Sequence, residues 1–241
     1  MQVSEEVKTA YANQYDQSII EWRTIAAKYK AKNIVALAKD IKFDSVLEVG
    51  CGEGSILHWL SEWDFSKNIC AVEISESGIE IVKSKKIKNL KEVLLFDGYK
   101  IPYPDNHFDL VVCSHVLEHV EHERVLLREI KRVSKYQIFE VPIDFSFYVD
   151  KKLNHFLAYG HINIYTPGLL RFLLLSENFK LKKDILVIYP DEVLNRSLKG
   201  MALYKARFKN RILKLFPYFL GVKPNAYTVL TEKQEKDLAI M

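Results

Sequence analysis

The chain has 241 residues, of which 49% are apolar and 27% charged, and its formal net charge is +4. This is the composition of an ordinary globular protein with a sizeable core, in one large domain or two small ones. The three cysteines argue against a disulfide framework and favour a reducing compartment. The acidic start is not a signal peptide, and no apolar run reaches the roughly 18 to 20 residues of a membrane span, so we expect a cytoplasmic protein.

The first predicted element in chain order is a helical cap. Aromatic and aliphatic residues recur at helical spacing between residues 4 and 40. The simpler interpretation is a pair of helices that covers one end of a sheet. The functional interpretation is that the same helices also close over a bound ligand.

A strand, a glycine turn and a helix follow. Residues 45–49 have the pattern of a buried strand, and Gly50, Gly52 and Gly54 come directly after it. Glycine allows a positive φ and close approach of a ligand, and the next helix directs its free N–H groups at that ligand. The spacing G-x-G-x-G differs from the G-x-G-x-x-G of dinucleotide sites. Glu48 is also an unfavourable neighbour for a pyrophosphate, so a nucleotide dehydrogenase is disfavoured.

The segment VLEVGCGEG, residues 46–54, resembles the first motif of class I S-adenosylmethionine-dependent methyltransferases of the type 11 and type 12-like family. The segment PYPDNHFD, residues 102–109, also matches that family closely. Strands alternate with helices up to residue 141, which favours a doubly wound, mostly parallel sheet. The resemblance implies a Rossmann-like α/β fold with seven strands, the last one antiparallel. We expect one domain over residues 1–241, made of a helical cap (1–40), a core (41–189), a helical insert (190–225) and a last strand with a tail (226–241).

The resemblance implies S-adenosylmethionine as the cofactor, whose sulfonium and ammonium groups suit Glu48. Glu73 ends a second strand about 20 residues after the glycines, where an acid accepts hydrogen bonds from ribose hydroxyls. Ile74 would then offer an apolar face to the adenine, and Asp97 would accept from the adenine amino group. Arg23 is the candidate partner of the cofactor carboxylate. The other expected cofactor contacts are Gly50, Cys51, Gly52, Gly98, Ser114 and His119.

The segment after the fourth predicted strand has two interpretations. Its H-x-x-E-H pattern, His115 to His119, matches a zinc signature with two imidazoles one helical turn apart. However, His115 follows a strand directly and no distant third ligand is marked, so we expect no metal. In the family, this segment touches the cofactor, and His119 either orients the loop or takes part in the chemistry.

A long irregular segment, residues 142–166, leaves the carboxyl end of the fifth strand, where ligands bind in open α/β sheets. Within it, Gly160 to Asn163 resembles a family segment that faces the methyl acceptor. A hydroxyl acceptor needs a general base, for which His161 is the first candidate and His115 the second.

The insert carries the excess positive charge. Residues 193–216 include seven Lys or Arg and no acid. Their apolar residues lie on one side of a helical projection: Leu194, Leu198, Met201, Tyr204, Phe208, Ile212 and Leu215. In one interpretation this helical lid packs its apolar stripe on the domain. In the other it makes peripheral contact with an anionic membrane or a lipid-linked acceptor. Nucleic acid is disfavoured because no second basic element supports it.

These observations together predict methyl transfer from S-adenosylmethionine to an oxygen or nitrogen of a small-molecule, saccharide or lipid-linked acceptor. The methyl group of a sulfonium is already activated, so positioning and desolvation would supply much of the rate. The alternative is a cofactor-binding protein without transferase activity, acting as a partner or regulatory subunit. The identity of the acceptor and the oligomeric state stay open.

Overall fold

A computed structural model describes residues 17–145, 149–158, 160–216 and 224–234, with side chains from residue 23 onward. The predictions for the first part of the cap, a few positions of the 142–166 segment, the end of the insert and the tail lie outside these residues. Within them, no helix combines the length and the apolar character needed to cross a bilayer.

Helices and strands alternate along most of the described chain. In order they are α1 (Gln17–Ala38), β1 (Ser45–Val49), α2 (Ser55–Glu62), β2 (Asn68–Glu73), α3 (Glu76–Ser84), β3 (Leu90–Leu95), β4 (Phe108–Ser114), α4 (Glu123–Val133), β5 (Ser134–Pro142), α5 (Leu153–Ala158), α6 (Pro167–Ser176), β6 (Phe179–Val187), α7 (Asp191–Ser197), α8 (Gly200–Leu215) and β7 (Ala226–Lys233). Short 3₁₀ turns at Leu117–His119 and Val149–Lys152 follow β4 and precede α5.

The strands form a seven-stranded sheet in the order β3-β2-β1-β4-β5-β7-β6. The pairs from β3 to β5 are parallel, and β7 runs antiparallel to both of its neighbours. The Rossmann-like doubly wound fold with an antiparallel last strand is therefore confirmed. The strand order reverses between β1 and β4, so a ligand crevice is expected beyond the carboxyl ends of these two strands.

Alternating side chains of the parallel strands build two cores, one on each face of the sheet. Val46 of β1 faces α1, α2 and α3 in the first core. Leu47 and Val49 of β1 face α4 and α6 in the second core. By this alternation Glu48 shares the face of Val46, which is the face that α1 covers.

The cap is an integral layer of the domain. Ala31, Ile34 and Leu37 of α1 are completely buried. Near the other end of the helix, the indole nitrogen of Trp59 in α2 donates a hydrogen bond to the backbone oxygen of Thr24, at 2.9 Å. The part of the cap that the structure describes is therefore one long helix packed on α2, where the sequence predicted a pair of helices over residues 4–40.

Two boundaries differ from the predicted ones. β6 runs over Phe179–Val187, whereas the apolar pattern of the sequence predicts this strand at Leu181 and residues 185–189. The first half of this edge strand carries several exposed lysines. They interrupt the apolar pattern, so the start of the strand could not be recognised from the sequence. The insert forms two helices, because Leu198 and Lys199 between them are extended.

The packing of α1 gives a stability test. Leu37→Ala would remove a fully buried side chain, so we expect a loss of about 2 to 5 kcal/mol in the free energy of unfolding. Lys39→Ala, at an exposed residue just beyond the helix, is the matched control and should change it by less than about 0.5 kcal/mol. Urea unfolding measures both variants. Equal stabilities would contradict the placement of α1 in the core.

Candidate functional site

The glycine turn joins β1 to α2, at the edge of the sheet where the strand order reverses. The φ angles of Gly50, Gly52 and Gly54 are 71°, 54° and 78°, the left-handed backbone that glycine favours. A Cβ on Gly50 would lie 2.5 Å from Cγ2 of Val116. Gly50 therefore also allows the segment after β4 to pack directly on the turn.

Glu73, at the end of β2, is held against this turn. Its Oε2 accepts the backbone N–H of Gly52 at 2.7 Å, and its Oε1 accepts those of Ile74 and Ser75 at 2.9 and 3.1 Å. Burial raises the pKa of Glu73, and the three N–H groups oppose that rise. A carboxylate oxygen accepts more than one hydrogen bond, so Oε2 retains capacity for a ribose hydroxyl.

Asp97 lies beside Glu73, because the backbone N–H of Phe96 donates to the backbone oxygen of Glu73 at 3.1 Å. Its Oδ1 accepts the N–H groups of Tyr99 and Lys100 at 2.9 and 2.6 Å. These bonds fix the carboxylate in its own loop and leave Oδ2 for an external donor such as an adenine amino group.

Other predicted cofactor contacts lie along the same edge of the sheet. Cys51 and Gly98 are buried, Ile74 packs against the core beneath the edge, and the hydroxyl of Ser114 donates to Oε1 of Glu140 at 3.4 Å. The structure thus brings these residues together. Their contacts with a cofactor stay predictions.

Glu48 is the buried acid of the turn. Only 2% of its surface is exposed, and Oε2 has no hydrogen-bond partner among the described residues. Burial raises the pKa of Glu48 well above its usual range, the nearby Glu53 adds to that rise, and Lys30 opposes it. An unsatisfied buried carboxyl group is costly, and a cationic ligand would satisfy it.

Lys30 of α1 is a site residue that the sequence analysis missed. Burial lowers the pKa of its ammonium group, while four acids act in the opposite direction: Glu140, Glu118, Glu53 and Glu48. The cap therefore places a positive charge opposite the carboxyl ends of the strands. Lys30 is seven residues after Arg23 and lies on the same side of the helix, a spacing that could have identified it.

Arg23 lies close to the helix that follows the glycine turn. The hydroxyl of the adjacent Thr24 is 3.3 Å from that of Ser55, the first residue of α2. This contact places the Arg23 backbone near the N-terminus of α2. The position is compatible with the predicted carboxylate contact, which stays a prediction.

His115 is clamped between two buried acids. Its φ is 57°, its Nδ1 is 3.3 Å from Oε1 of Glu118, and its Nε2 is 3.3 Å from Oε1 of Glu140. Burial and Lys30 disfavour the charged ring, but the two carboxylates raise the pKa of His115 above its usual value. Burial alone would raise the pKa of Glu140, whereas His115, Lys30 and Thr228 lower it to about 2. Both ring nitrogens of His115 face carboxylate oxygens of the protein, so this geometry does not support the second candidate for the base.

His119 and His161 are neighbouring rings with centroids 4.8 Å apart. Nδ1 of His119 is 2.9 Å from the backbone oxygen of Gly160, and Nδ1 of His161 is 2.6 Å from Oδ2 of Asp144. Both oxygens only accept hydrogen bonds, so in a neutral ring Nδ1 carries the hydrogen and Nε2 the lone pair. Burial lowers the pKa of His119. Asp144, which orients His161, was not identified from the sequence.

Asn163 joins these rings to the segment after β4. Its side-chain nitrogen donates to the backbone oxygens of Leu117 and Val120 at 3.0 and 2.7 Å, and its N–H donates to that of Glu118 at 3.0 Å. Because Val116 packs on Gly50, this network brings His161 to the glycine-turn side of the sheet.

Glu118, His119 and His161 each offer a metal-ligating atom, and these atoms lie within 4.8 Å of one another. Nε2 of His119 is 3.9 Å from Oε1 of Glu118. Ligands around one zinc ion are about 3.4 Å apart, given zinc–nitrogen bonds of about 2.1 Å. The group is therefore wider than a zinc site, and the expectation of no metal stays a prediction.

Tyr189, just after β6, is another residue that the sequence analysis did not single out. Burial raises the pKa of its hydroxyl, and Glu140, Asp144 and Glu118 raise it further. Tyr189 therefore lies close to both the buried acids and the Asp144–His161 pair. Only the folded sheet brings it there, because in the sequence it is a lone tyrosine after an edge strand.

The chain is similar to known proteins. Residues 47–137 match the family model described as a methyltransferase domain. An uncharacterized methyltransferase of Schizosaccharomyces pombe is 34% identical over 140 residues, which are 52% of this chain and 48% of that protein. The ubiquinone/menaquinone biosynthesis C-methyltransferase of Paraburkholderia phytofirmans is 24% identical over 74% of each chain. The chain thus spans about half the length of the first of these relatives.

Among solved structures, geranyl diphosphate C-methyltransferase from Streptomyces coelicolor superposes with a TM-score of 0.67 at 11% identity, over 95% of this chain and 97% of that one. At this identity the match shows the shared fold. The class of protein is defined by the fold, by the glycine turn and by the match over residues 47–137: it is a Rossmann-like methyltransferase. The chain carries a class I S-adenosylmethionine-dependent methyltransferase domain, and S-adenosylmethionine is the cofactor of this class.

The raised pKa of Glu48 leads to a test of cofactor binding. A bound cation favours the ionised carboxylate, so the affinity for S-adenosylmethionine should fall as pH drops and Glu48 becomes protonated. Glu48→Gln should flatten this pH dependence. It should also weaken binding of S-adenosylmethionine more than that of S-adenosylhomocysteine, which lacks the sulfonium charge.

Calorimetric titration over a range of pH measures both effects. Glu62→Gln, at an exposed acid at the end of α2, is the matched control and should behave as wild type. An unchanged pH profile for Glu48→Gln would contradict the assignment.

Proposed function

We propose that this domain transfers a methyl group from S-adenosylmethionine to an oxygen or nitrogen of a small-molecule acceptor, and that His161 takes the acceptor's proton. The observation that carries the proposal is the 2.6 Å contact between Nδ1 of His161 and Oδ2 of Asp144. A base whose second ring nitrogen is oriented by a carboxylate is a recurring arrangement in group-transfer enzymes.

The buried acids support the binding of a cationic cofactor. Glu48, Glu118 and Glu140 act electrostatically on Lys30. Glu73, which accepts the N–H of Gly52, and Asp97 would accept hydrogen bonds from the adenosyl part. When bound, the sulfonium supplies an activated methyl group and a neutral thioether leaving group. Transfer removes one positive charge from the bound cofactor, so its product gains less from the surrounding acids, which favours release.

The role of the protein in the reaction is to position the acceptor and move its proton. The acceptor atom attacks the methyl carbon, the carbon–sulfur bond breaks, and S-adenosylhomocysteine forms. Nε2 of His161 accepts the proton, and Asp144 stabilises the resulting imidazolium. Glu118, which is completely buried, favours a positive charge on the neighbouring His119 ring and so opposes the effect of burial on the pKa of His119.

The acceptor class is argued from the relatives. One is named for ubiquinone and menaquinone biosynthesis, and a fold neighbour is named for geranyl diphosphate. Both are named C-methyltransferases, so what is carried over from them is the kind of acceptor, a small organic molecule, and not the atom that is methylated. We therefore extend the proposal to acceptors that combine a polar reacting group with an apolar part, which includes lipid-linked saccharides. Tyr189, whose pKa Asp144 helps to raise, is our candidate contact for the polar group.

The test is a rate measurement with panels of phenols, amines, sugars and prenyl-linked alcohols, monitored by release of S-adenosylhomocysteine. With a hydroxyl acceptor, His161→Ala should lower kcat by about a hundredfold or more while cofactor affinity is retained. Asp144→Asn should lower it as well, because it removes the negative charge that stabilises the imidazolium. His107→Ala, at an exposed histidine, is the matched control.

An unchanged rate for His161→Ala would contradict its role as the base. The same experiment distinguishes the alternative function, a cofactor-binding partner without transferase activity. In that case the wild-type protein would bind S-adenosylhomocysteine and yet release none from any acceptor panel.

A further inference from the structure

The insert presents an exposed apolar face to solvent. The side chains of this face, here called the insert surface, are 37% to 73% exposed: Met201, Tyr204, Phe208, Ile212, Leu215 and Phe216. The lid interpretation placed the whole predicted stripe against the domain. Leu194 of that stripe is buried, but the part on α8 is exposed, and for this part the structure contradicts the interpretation. In α8 only Asn210 and Leu213 are buried.

The geometry of α8 explains this outcome. At 100° per residue, the five exposed side chains between Met201 and Leu215 cover an arc of about 80°. Asn210 and Leu213 lie on the opposite side, and Nδ2 of Asn210 donates to the backbone oxygen of Tyr189 at 2.8 Å. The helix therefore contacts the domain through the face that carries Asn210 and Leu213, and its apolar stripe faces solvent.

Basic residues flank the stripe. Lys205 lies about 40° to one side of Met201 and Arg211 about 80° to the other, with Lys214 farther round. These three residues have no ion-pair partner in the part of the chain that the structure describes. Arg207 approaches Asp191, with 3.9 Å between Nε and Oδ2. Helix α8 itself contains no acid.

The size of the insert surface sets it apart from scattered exposed residues. A large side chain such as phenylalanine or tyrosine has a surface of about 150–250 Å². At their exposed fractions, the six side chains of the insert surface together expose on the order of 600 Å². The largest apolar patch on a typical monomer is about 300–600 Å² and is often functional. α6 also exposes Leu169, Phe172 and Leu175, but Arg171 beside them is paired with Asp184 at 3.0 Å.

We propose that the insert surface docks on an anionic lipid membrane. An apolar stripe on an amphipathic helix buries itself at the boundary between headgroups and acyl chains, and flanking lysines and arginines contact anionic headgroups. The apolar stripe suits the acyl-chain side of that boundary, and the basic residues, on a helix without acids, suit the anionic headgroups. Docking does not depend on methyl transfer, although it would bring the Tyr189 side of the site close to lipid-borne acceptors.

The test is cosedimentation with vesicles of phosphatidylcholine alone or mixed equally with phosphatidylglycerol, at low and high salt. The wild-type protein should bind the mixed vesicles at low salt, and this binding should weaken as the salt concentration rises. Reversing Arg211 and Lys214 to Glu should lower the partition coefficient by about thirtyfold or more. Phe208→Ala with Leu215→Ala should lower it too, because less apolar surface is buried.

Matched controls use similar residues elsewhere. Lys91→Glu, exposed on β3, and Phe172→Ala, exposed on α6, should retain wild-type binding. Cofactor affinity and the unfolding midpoint should be unchanged in all variants, since the positions are exposed.

Two outcomes would overturn the proposal. The first is that wild type ignores anionic vesicles at low salt, or binds pure phosphatidylcholine equally well. The second is that the insert surface mediates self-association, seen as concentration-dependent dimers that Phe208→Ala with Leu215→Ala abolishes while vesicle binding is absent. Either result leaves the proposed methyl transfer untouched, so the two proposals fail separately.

Discussion

The site depends on buried charge at the carboxyl edge of the sheet. Glu48, Glu118 and Glu140 are each at most 2% exposed, and within the described residues Lys30 and His115 are the cations that the electrostatics set against them. Burying a charge is costly unless it is paired, so this arrangement persists only where a partner or a ligand balances it. Because Oε2 of Glu48 has no hydrogen-bond partner among the described residues and burial raises the pKa of Glu48, a bound cation would favour its ionised form.

The fold places this charge where it is useful. Strands β1, β4 and β5 end side by side, so single acids far apart in sequence meet at one edge. α1 covers one face of the sheet there and contributes Lys30, while the network around Asn163 brings His161 to the same edge. In the proposed reaction, cofactor binding and proton transfer would share this buried electrostatic environment. The insert is anchored near it through Asn210, which donates to the backbone oxygen of Tyr189.

The fold, and the meeting of the proposed cofactor residues at one edge of the sheet, could be predicted from the sequence because their signals are local. The glycine spacing, Glu48 and the strand-end acids Glu73 and Asp97 need only the nearby chain to be recognised. Lys30, Asp144 and Tyr189 were missed because each acquires its role from residues that are distant in sequence. The sequence left open whether the stripe of α8 faces the domain or solvent, for a related reason. Periodicity shows that a helix has an apolar face, but only tertiary contacts decide which face the domain covers.

The most direct test of this account is calorimetry of the wild-type protein with S-adenosylmethionine, S-adenosylhomocysteine and NAD. The account predicts micromolar-range affinity for the two adenosyl ligands, because Glu73 and Asp97 suit the adenosyl group and the buried acids suit the charged tail. It predicts no heat with NAD, whose pyrophosphate would meet Glu48. Binding of NAD without any binding of S-adenosylhomocysteine would contradict it.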